Sequence, residues 1–175
     1  YASVAFWYQT HPHPVFPPLP EHLVPLSQIS APSIEAEALL ARARATGGEL
    51  RVQEMGGFDG HWSGGAHLWW VEAAPGDRLT LPLEAPAAGS YEIFGFFTRA
   101  QDYGIVRLLA NGRAVGALVD GYAARVEPTG PVSFGRVALQ AGANELVVEI
   151  VGKDVRAAGY SDGYLVGIDG FLLRQ

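Results

Sequence analysis

Aromatic and acidic side chains lie close together in two glycine-bearing stretches of the sequence. Asp59 and Trp62 belong to the first stretch, and Tyr160, Asp162 and Tyr164 belong to the second. A sugar ring stacks on an exposed aromatic face, while polar neighbours fix its orientation. These five residues are therefore candidate carbohydrate-binding residues. The alternative is that the aromatic rings only pack their own loops.

Two further tryptophans, Trp69 and Trp70, are adjacent in a β-prone run. Successive side chains of a strand point to opposite faces, so at least one of the two rings must face the interior. Tryptophan is highly buried on average. We therefore expect both rings to serve the core and not a ligand.

Catalytic signatures are absent from the sequence. It contains no G-x-S-x-G, P-loop or H-E-x-x-H motif, and no nucleophile and base occur in a recognisable local pattern. His11 and His13 stand two residues apart, but no third metal ligand lies near them. We therefore expect no catalytic residues and no independent enzyme.

The composition is that of a globular chain. Of 175 residues, 49% are hydrophobic and 17% are charged. The net charge of −6, with scattered Lys and Arg, argues against nucleic acid or an anionic membrane as partner. The absence of Cys excludes disulfides and thiolate metal sites, and is compatible with either side of a membrane. The sequence starts at Tyr1 without Met or a basic leader, as expected of a mature product or a fragment.

The stretch Gly89–Val119 predicts the central strands. Tyr91–Thr98 carries apolar side chains on both faces, which is typical of a strand covered on two sides. Asn111-Gly112 separates the apolar runs Ile105–Ala110 and Arg113–Val119, and Asn-Gly between such runs favours a hairpin. We predict that these three runs form a three-stranded antiparallel core.

The remaining chain predicts an all-β domain with an N-terminal extension. About ten short strands at a spacing of ~8–12 residues indicate a sandwich or barrel over residues 33–175. Residues 11–32 are rich in Pro and predict a stiff linker. Residues 1–10 predict a lone strand with apolar groups on both faces. We expect this strand to pair with an upstream jelly-roll domain or with a neighbouring copy.

The order of motifs from Ile34 onward resembles the carbohydrate-binding modules of families 6 and 35, which are jelly-roll β-sandwiches. The matching motifs are Ile34-Glu35-Ala36-Glu37, Trp62-Ser63-Gly64-Gly65, Leu68-Trp69-Trp70, Pro75-Gly76-Asp77, Gly89-Ser90-Tyr91-Glu92, Leu109-Ala110-Asn111-Gly112-Arg113, Leu139-Gln140-Ala141-Gly142-Ala143-Asn144 and Gly167-Ile168-Asp169-Gly170-Phe171. The resemblance implies a jelly-roll fold and a carbohydrate as the partner.

A second resemblance covers Tyr1–Pro20, which is similar to the closing strand and exit linker of the domain of unknown function 2961. That family includes the glycoside hydrolases of family 172, which act on fructose- and arabinose-containing glycans. Its catalytic carboxylates would lie upstream of Tyr1. The resemblance implies a non-catalytic accessory module of a fructan- or arabinan-acting protein. The alternative is a structural subunit that polymerises by donating residues 1–10 to a neighbouring sheet.

The resemblance to the binding modules also implies a metal site. In those modules, acidic residues of the opening and closing strands hold a structural calcium, and Glu35, Glu37 and Asp169 occupy the matching positions. Calcium takes six to eight oxygen ligands, of which carboxylates on adjacent strands supply several. The alternative is that Glu35 and Glu37 face solvent on an edge strand.

Overall fold

A computed structural model describes residues 29, 31–159 and 163–175. The predicted strand at residues 1–10, the linker before Ile29, Tyr160 and Asp162 lie outside the described residues. The strands are β1 (Ile34–Glu35), β2 (Arg44–Ala45), β3 (Glu49–Glu54), β4 (Ala66–Val71), β5 (Arg78–Ala85), β6 (Gly89–Arg99), β7 (Ile105–Ala110), β8 (Arg113–Asp120), β9 (Glu127–Leu139), β10 (Gly142–Gly152) and β11 (Val166–Arg174). Three short 3-10 helices lie at Glu37–Arg42, Ser63–Gly65 and Val155–Gly159.

The described strands form two antiparallel sheets that pack face to face. The first sheet has the order β3-β4-β11-β6-β9, with β1 also paired to β11. The second has the order β2-β5-β10-β7-β8. The all-β jelly-roll sandwich predicted from the sequence is therefore confirmed. Among the residues that the structure describes, no helix is long and apolar enough to cross a membrane.

Strand β6 is buried on both faces, as its apolar pattern predicts. Ile93 and Phe97 point into the core between the sheets, where they are 0% and 3% exposed. Phe94 and Phe96 point to the opposite, outer face of the first sheet and are 0% and 4% exposed. Because the outer face is also covered, this sheet has no solvated side at β6.

The predicted hairpin at Asn111-Gly112 is confirmed. Asn111 and Gly112 have φ values of 47° and 81°, which suit the left-handed positions of a tight turn. Ala110 pairs with Arg113 across the turn that joins β7 to β8. The Asn111 side chain is fixed as well, because its Oδ1 accepts a hydrogen bond from the Glu145 backbone N–H at 2.9 Å.

Of the predicted three-stranded core, the pairing of the second and third runs is confirmed, and the inclusion of the first run is wrong. Strand β6 belongs to the first sheet, whereas β7 and β8 belong to the second. The chain crosses between the sheets after Arg99, where Ala100 forms an isolated bridge to Tyr122 and Tyr103 forms one to Leu165. These bridges hold the crossing segment against other loops. Strand β7 therefore begins in the second sheet, on the other side of the core.

The opening strand is shorter than the sequence predicts. Strand pairing stops at Glu35, and the chain turns into the 3-10 helix Glu37–Arg42. This helix buries Leu39 at one end of the core. Glu37 is therefore held at the start of a helical turn and not in the strand that carries Glu35.

Trp70 is a core residue, as predicted, and Trp69 is half-buried on the other face of β4. The Trp70 ring is 0% exposed, and its Nε1–H donates a hydrogen bond to the Gly47 carbonyl at 2.9 Å. The ring thus fills the interior while its polar atom is satisfied by the loop between β2 and β3.

We predict that Trp70→Ala lowers the free energy of unfolding by roughly 3–5 kcal/mol, because it leaves a cavity in the core. Denaturant unfolding measures this loss. Leu118→Ala is the control, since Leu118 is 53% exposed and its truncation should change stability by less than about 0.5 kcal/mol. Equal losses from the two variants would contradict the placement of Trp70.

Candidate functional site

Several loops meet at one end of the sandwich. The bridge between Ala100 and Tyr122 joins the loop after β6 to the loop after β8. The bridge between Tyr103 and Leu165 joins the loop after β6 to the segment before β11. The loop after β3 lies alongside, because a Cβ built on Gly60 would approach Pro128 Cδ at 2.9 Å. Side chains from four separate connections are therefore brought together at this end.

A groove of about 480 Å³ opens between the loops after β3 and β8. It is lined by Gly57, Phe58, Asp59, Arg125, Val126 and Glu127. Phe58 is 39% exposed although it is a large apolar residue, and Asp59 and Arg125 are also exposed. We call this feature the loop groove. It combines an accessible aromatic ring, a carboxylate and a guanidinium within one cleft.

A smaller recess of about 200 Å³ adjoins the loop groove and shares Arg125 and Val126 with it. Its other lining residues include Gln101 and Asp102 from the loop after β6. Arg125 therefore lines both spaces. The two together form an elongated surface with polar groups along its length.

The two acidic residues of the loop groove differ in their partners. Glu127 Oε1 accepts a charge-assisted hydrogen bond from Arg99 Nη2. Within the described residues, Asp59 and Arg125 make no ion pair. Asp59 and Arg125 thus remain the charged groups that can bind a ligand in this cleft.

The structure corrects the prediction for Trp62. This ring was expected to be an exposed platform in a loop, but it is 4% exposed. The ring lies on the outer face of the first sheet, where its Nε1–H donates a hydrogen bond to Thr98 Oγ1 at 2.9 Å. A buried ring offers no face to a sugar. Phe58 is the exposed aromatic residue of the same loop, and its position among Gly and Asp was the signal that could have identified it.

Tyr164 does not line the loop groove. Tyr164 is half-buried and packs against the core, and the Nζ of Lys153 lies 4.8 Å from the centre of its ring. One face of this ring is therefore occupied. Tyr160 and Asp162 lie outside the described residues. Of the three predicted residues that the structure describes, Asp59, Trp62 and Tyr164, only Asp59 lines the loop groove. Sequence reasoning also missed Arg125.

Trp62 and Thr98 belong to a buried chain of hydrogen bonds. Thr98 Oγ1 lies 2.7 Å from His67 Nδ1, and His67 Nε2 lies 2.8 Å from Gln53 Oε1. Thr98 Oγ1 accepts from Trp62, and its own hydroxyl hydrogen can be donated to His67 Nδ1 while the Nε2–H of the imidazole is donated to Gln53 Oε1. With a neutral imidazole that carries its hydrogen on Nε2, every member of this chain is satisfied.

The electrostatics of His67 agree with this assignment. Burial lowers the pKa of the imidazole to about 4. The unfolded chain therefore binds more protons than the folded chain between about pH 4 and the ordinary pKa of 6.5. Neutral His67 contributes its full stabilisation above pH 6.5, and this contribution falls as the pH is lowered toward 4.

The acidic residues predicted to bind calcium gather around Ser63. The Ser63 Oγ–H donates a hydrogen bond to Glu35 Oε1. The Ser63 backbone N–H donates to Asp169, with distances of 3.0 and 3.2 Å to the two carboxylate oxygens. Glu37 Oε1 approaches the next residue, because a Cβ on Gly64 would lie 3.3 Å from it. We call Glu35, Glu37 and Asp169 the acidic cluster.

Two oxygens of the acidic cluster are buried without a hydrogen-bond partner in the described part of the chain, namely Glu35 Oε2 and Glu37 Oε2. Among the described residues, no three His, Asp or Glu side chains converge closely enough to hold a metal by themselves. Ser63 thus lies between Glu35 and Asp169, and Glu37 lies beside the neighbouring Gly64.

Burial and the neighbouring negative charges raise the pKa values of Asp169 and Glu37. Burial raises the pKa of Asp169 to about 6, the negative charge of Glu35 adds to the increase, and the Ser63 N–H opposes it. Burial is also the largest cause of the raised pKa of Glu37, to which Glu35 and Asp169 add. Because the pKa of Asp169 is higher in the folded chain than its ordinary value, the contribution of this carboxyl to the stability of the fold decreases as the pH rises from 3.8 through about 6. At neutral pH, ionised Asp169 and Glu37 therefore contribute less to stability than they do in their protonated forms at low pH.

Solved structures with the same fold include modules of glycan-acting proteins. No protein-family model matches the sequence, and no curated protein matches it. A xanthan lyase of Paenibacillus superposes with a TM-score of 0.66 at 24% identity over 85% of this chain. This chain spans only 14% of the length of that lyase.

Two separate binding modules also superpose. A family 35 carbohydrate-binding module from Clostridium thermocellum has a TM-score of 0.51 at 18% identity, covering 81% of this chain and 96% of the module. The CBM36-1 domain of a multidomain xylanase from the hindgut metagenome of Trinervitermes trinervoides has a TM-score of 0.52 at 10% identity. That match covers 81% of this chain and 94% of the domain. At these identities the likeness establishes the fold.

We predict that Thr98→Val destabilises the protein by roughly 1–3 kcal/mol for each buried group that it leaves without a partner, namely the Trp62 Nε1–H and His67 Nδ1. Denaturant unfolding at pH 7 measures the total. Thr80→Val is the matched control, since Thr80 lies half-buried on β5 outside this chain of hydrogen bonds. If both variants were equally stable, the assigned network would be wrong.

Proposed function

We propose that this chain is a non-catalytic carbohydrate-binding module of a glycan-acting protein, and that the loop groove is its binding site. The observation that carries the proposal is the exposed Phe58 ring beside Asp59 and Arg125 in a cleft of about 480 Å³. The sandwich fold shared with a family 35 module supports the same conclusion.

The chemistry of the loop groove suits a sugar. The apolar face of a sugar ring stacks on Phe58, which is already exposed to solvent. The Asp59 carboxylate accepts hydrogen bonds from sugar hydroxyls, and the Arg125 guanidinium donates to ring or hydroxyl oxygens. A long, open cleft with groups of both kinds fits a chain of sugars better than a compact apolar ligand.

The number of accessible carboxylates in the loop groove favours binding over hydrolysis. Hydrolysis of a glycosidic bond needs two carboxyl groups that flank the bond as acid and as base or nucleophile. Glu127 is held by Arg99, which leaves Asp59 as the accessible carboxylate of the loop groove. Incubation with each candidate glycan, followed by a reducing-sugar assay, is expected to detect no cleavage.

We further propose fructan or arabinan as the glycan, on the resemblance of Tyr1–Pro20 alone. Under this proposal, residues 1–10 add a strand to an upstream domain of a larger protein or to a neighbouring copy. Xylan and xanthan are the natural comparison ligands, because a xylanase domain and a xanthan lyase share the fold.

We predict that Phe58→Ala weakens glycan binding by roughly tenfold, which corresponds to the loss of about 1.4 kcal/mol of stacking free energy. Titration calorimetry with fructan, arabinan, xylan and xanthan oligosaccharides measures the change. Val155→Ala is the control, since Val155 is 87% exposed and lies outside the groove lining.

Arg125→Ala should weaken binding as well, with the melting temperature unchanged in both groove variants. If a glycan bound equally to all variants, the loop groove would be the wrong site. If no glycan bound at all, the proposed function itself would be rejected.

We also propose that the acidic cluster binds a structural calcium ion. Glu35, Glu37 and Asp169 would hold it, and their own features fit such an ion: two buried oxygens without partners and a raised pKa at Asp169. The carboxylates would supply oxygen ligands, and a bound calcium ion would supply the positive charge that offsets the repulsion among them. Because Ser63 bonds to two of these acids, the ion would also fix the loop after β3.

We predict that calcium raises the melting temperature at pH 7.5, because an ion that binds only the folded state stabilises it by mass action. Scanning calorimetry in chelator and then in excess calcium measures the shift. Asp169→Asn should abolish the calcium-dependent part, while Asp77→Asn, in a turn outside the cluster, should retain it. An unchanged melting temperature in chelator and in calcium would reject the site.

A further inference from the structure

The charged side chains that line the loop groove and the adjoining recess are mostly acidic. The loop groove is lined by Asp59 and Glu127, and the recess by Asp102. Arg125 lines both spaces. All 12 Lys and Arg residues of the sequence belong to the part of the chain that the structure describes, and none but Arg125 is among the lining residues. The lining therefore carries more negative than positive charge.

Arg99 lies near this surface, but its charge is already paired. Its Nη2 donates a hydrogen bond to Glu127 Oε1, so the two charges offset each other. Asp59 and Asp102 then outnumber Arg125 along the two spaces. The whole chain also has a net charge of −6. The local charges and the overall charge therefore both repel an anion that approaches this surface.

Arg125 cannot bind a sugar carboxylate without placing it in a cleft that contains a carboxylate of the protein. Because Arg125 lines both spaces, the bound anion would share the loop groove with Asp59 or the recess with Asp102. Like charges repel, and they do so more strongly where protein partly replaces water. A glycan with a carboxylate on many of its sugars would meet this repulsion repeatedly, with one guanidinium to offset it.

An uncharged sugar meets a favourable surface in the same place. A carboxylate has two acceptor oxygens and no hydrogen to donate, so its natural partners are hydroxyl groups. Hydrogen bonds to an ionised acceptor are also stronger than those between neutral groups. Asp59 in the loop groove and Asp102 in the recess are therefore placed to accept from hydroxyls of a glycan that spans both spaces.

We propose that the loop groove and the recess together select an uncharged glycan and discriminate against glycans that carry carboxylates. This inference rests on the proposed function, because it names the class of glycan bound at the same site. The lining carboxylates act in two ways: they accept hydrogen bonds from sugar hydroxyls, and they repel sugar carboxylates. Arg125 then donates hydrogen bonds to neutral sugar oxygens.

A matched pair of ligands isolates the effect of charge. Fructan, arabinan and xylan are each prepared with carboxymethyl ethers and, separately, with 2-hydroxyethyl ethers at the same low degree of substitution. The two substituents are similar in size, but only the carboxymethyl group is anionic. Titration calorimetry on the full chain measures each dissociation constant at about 10 mM and about 1 M salt, where the screening length is roughly 30 Å and roughly 3 Å.

For the glycan that binds, we expect the carboxymethyl form to have a dissociation constant at least roughly tenfold higher than the hydroxyethyl form at low salt. At high salt this ratio should fall below about twofold, because screening removes the repulsion. Equal or tighter binding of the carboxymethyl form at low salt would overturn the inference and leave the proposed function standing. A ratio that persists at high salt would be steric and would overturn it as well. If no form of any glycan bound, the proposed function itself would be rejected.

Asp59→Asn and Glu145→Gln separate the charge of the groove from the charge of the whole chain, since each removes one negative charge. Glu145 is exposed and lies beside the Asn111-Gly112 turn, because its carbonyl accepts a hydrogen bond from the Asn111 N–H at 2.8 Å. That turn follows the end of β7, whereas the loop after β6 leads into the start of β7.

We expect Asp59→Asn to lower the low-salt ratio by at least roughly threefold, because the asparagine keeps an acceptor oxygen but not the charge. Glu145→Gln should leave the ratio unchanged. If the two variants lowered the ratio equally, the charge of the whole chain would be responsible, and the assignment to the groove would be overturned.

Discussion

The burial of strand β6 on both faces is the constraint on which the rest of the structure depends. Its inner side chains join the core between the sheets, so the second sheet must pack against them. Its outer side chains, Phe94, Phe96 and Thr98, are buried to a similar degree. An antiparallel sheet in a small domain commonly leaves one face solvated. In this protein, separate segments cover the outer face of the first sheet. Trp62 packs over Thr98, and Ile29 packs over Phe94 and Phe96.

The connection between β3 and β4 links this burial to the candidate sites. Phe58 and Asp59 line the loop groove, Trp62 covers the outer face, and Ser63 bridges two members of the acidic cluster. Since these residues lie within six positions, the buried ring and the bonded serine limit how far the groove can move. The position of Phe58 thus depends on contacts that lie outside the groove.

The sequence predicted features that depend on local pattern. The two apolar faces of β6, the turn at Asn111-Gly112 and the burial of Trp70 follow from alternation, backbone preference and residue size. The three members of the acidic cluster were predicted from the resemblance to binding modules; Glu35 and Asp169 bond to Ser63 and Glu37 lies beside Gly64, while calcium binding stays a prediction.

The predictions that were wrong or missing concern features that depend on residues distant in the sequence. The assignment of β6 and β7 to different sheets depends on the isolated bridges made by Ala100 and Tyr103, which no local pattern reveals. Trp62 resembles any other tryptophan of a Gly-rich loop, and its burial follows from Thr98, which lies 36 residues away. Arg125 was missed because it stands in an irregular stretch and gains its importance from the loop after β3.

The central place of β11 has a consequence for how the chain is made. Val166–Arg174 inserts between β4 and β6 and also pairs with β1, although all three precede it by more than sixty residues. A ribosome delivers these residues after the other strands have emerged. Until then, β4 and β6 each present an open edge at which a foreign strand can pair. The first sheet therefore closes only after synthesis of β11.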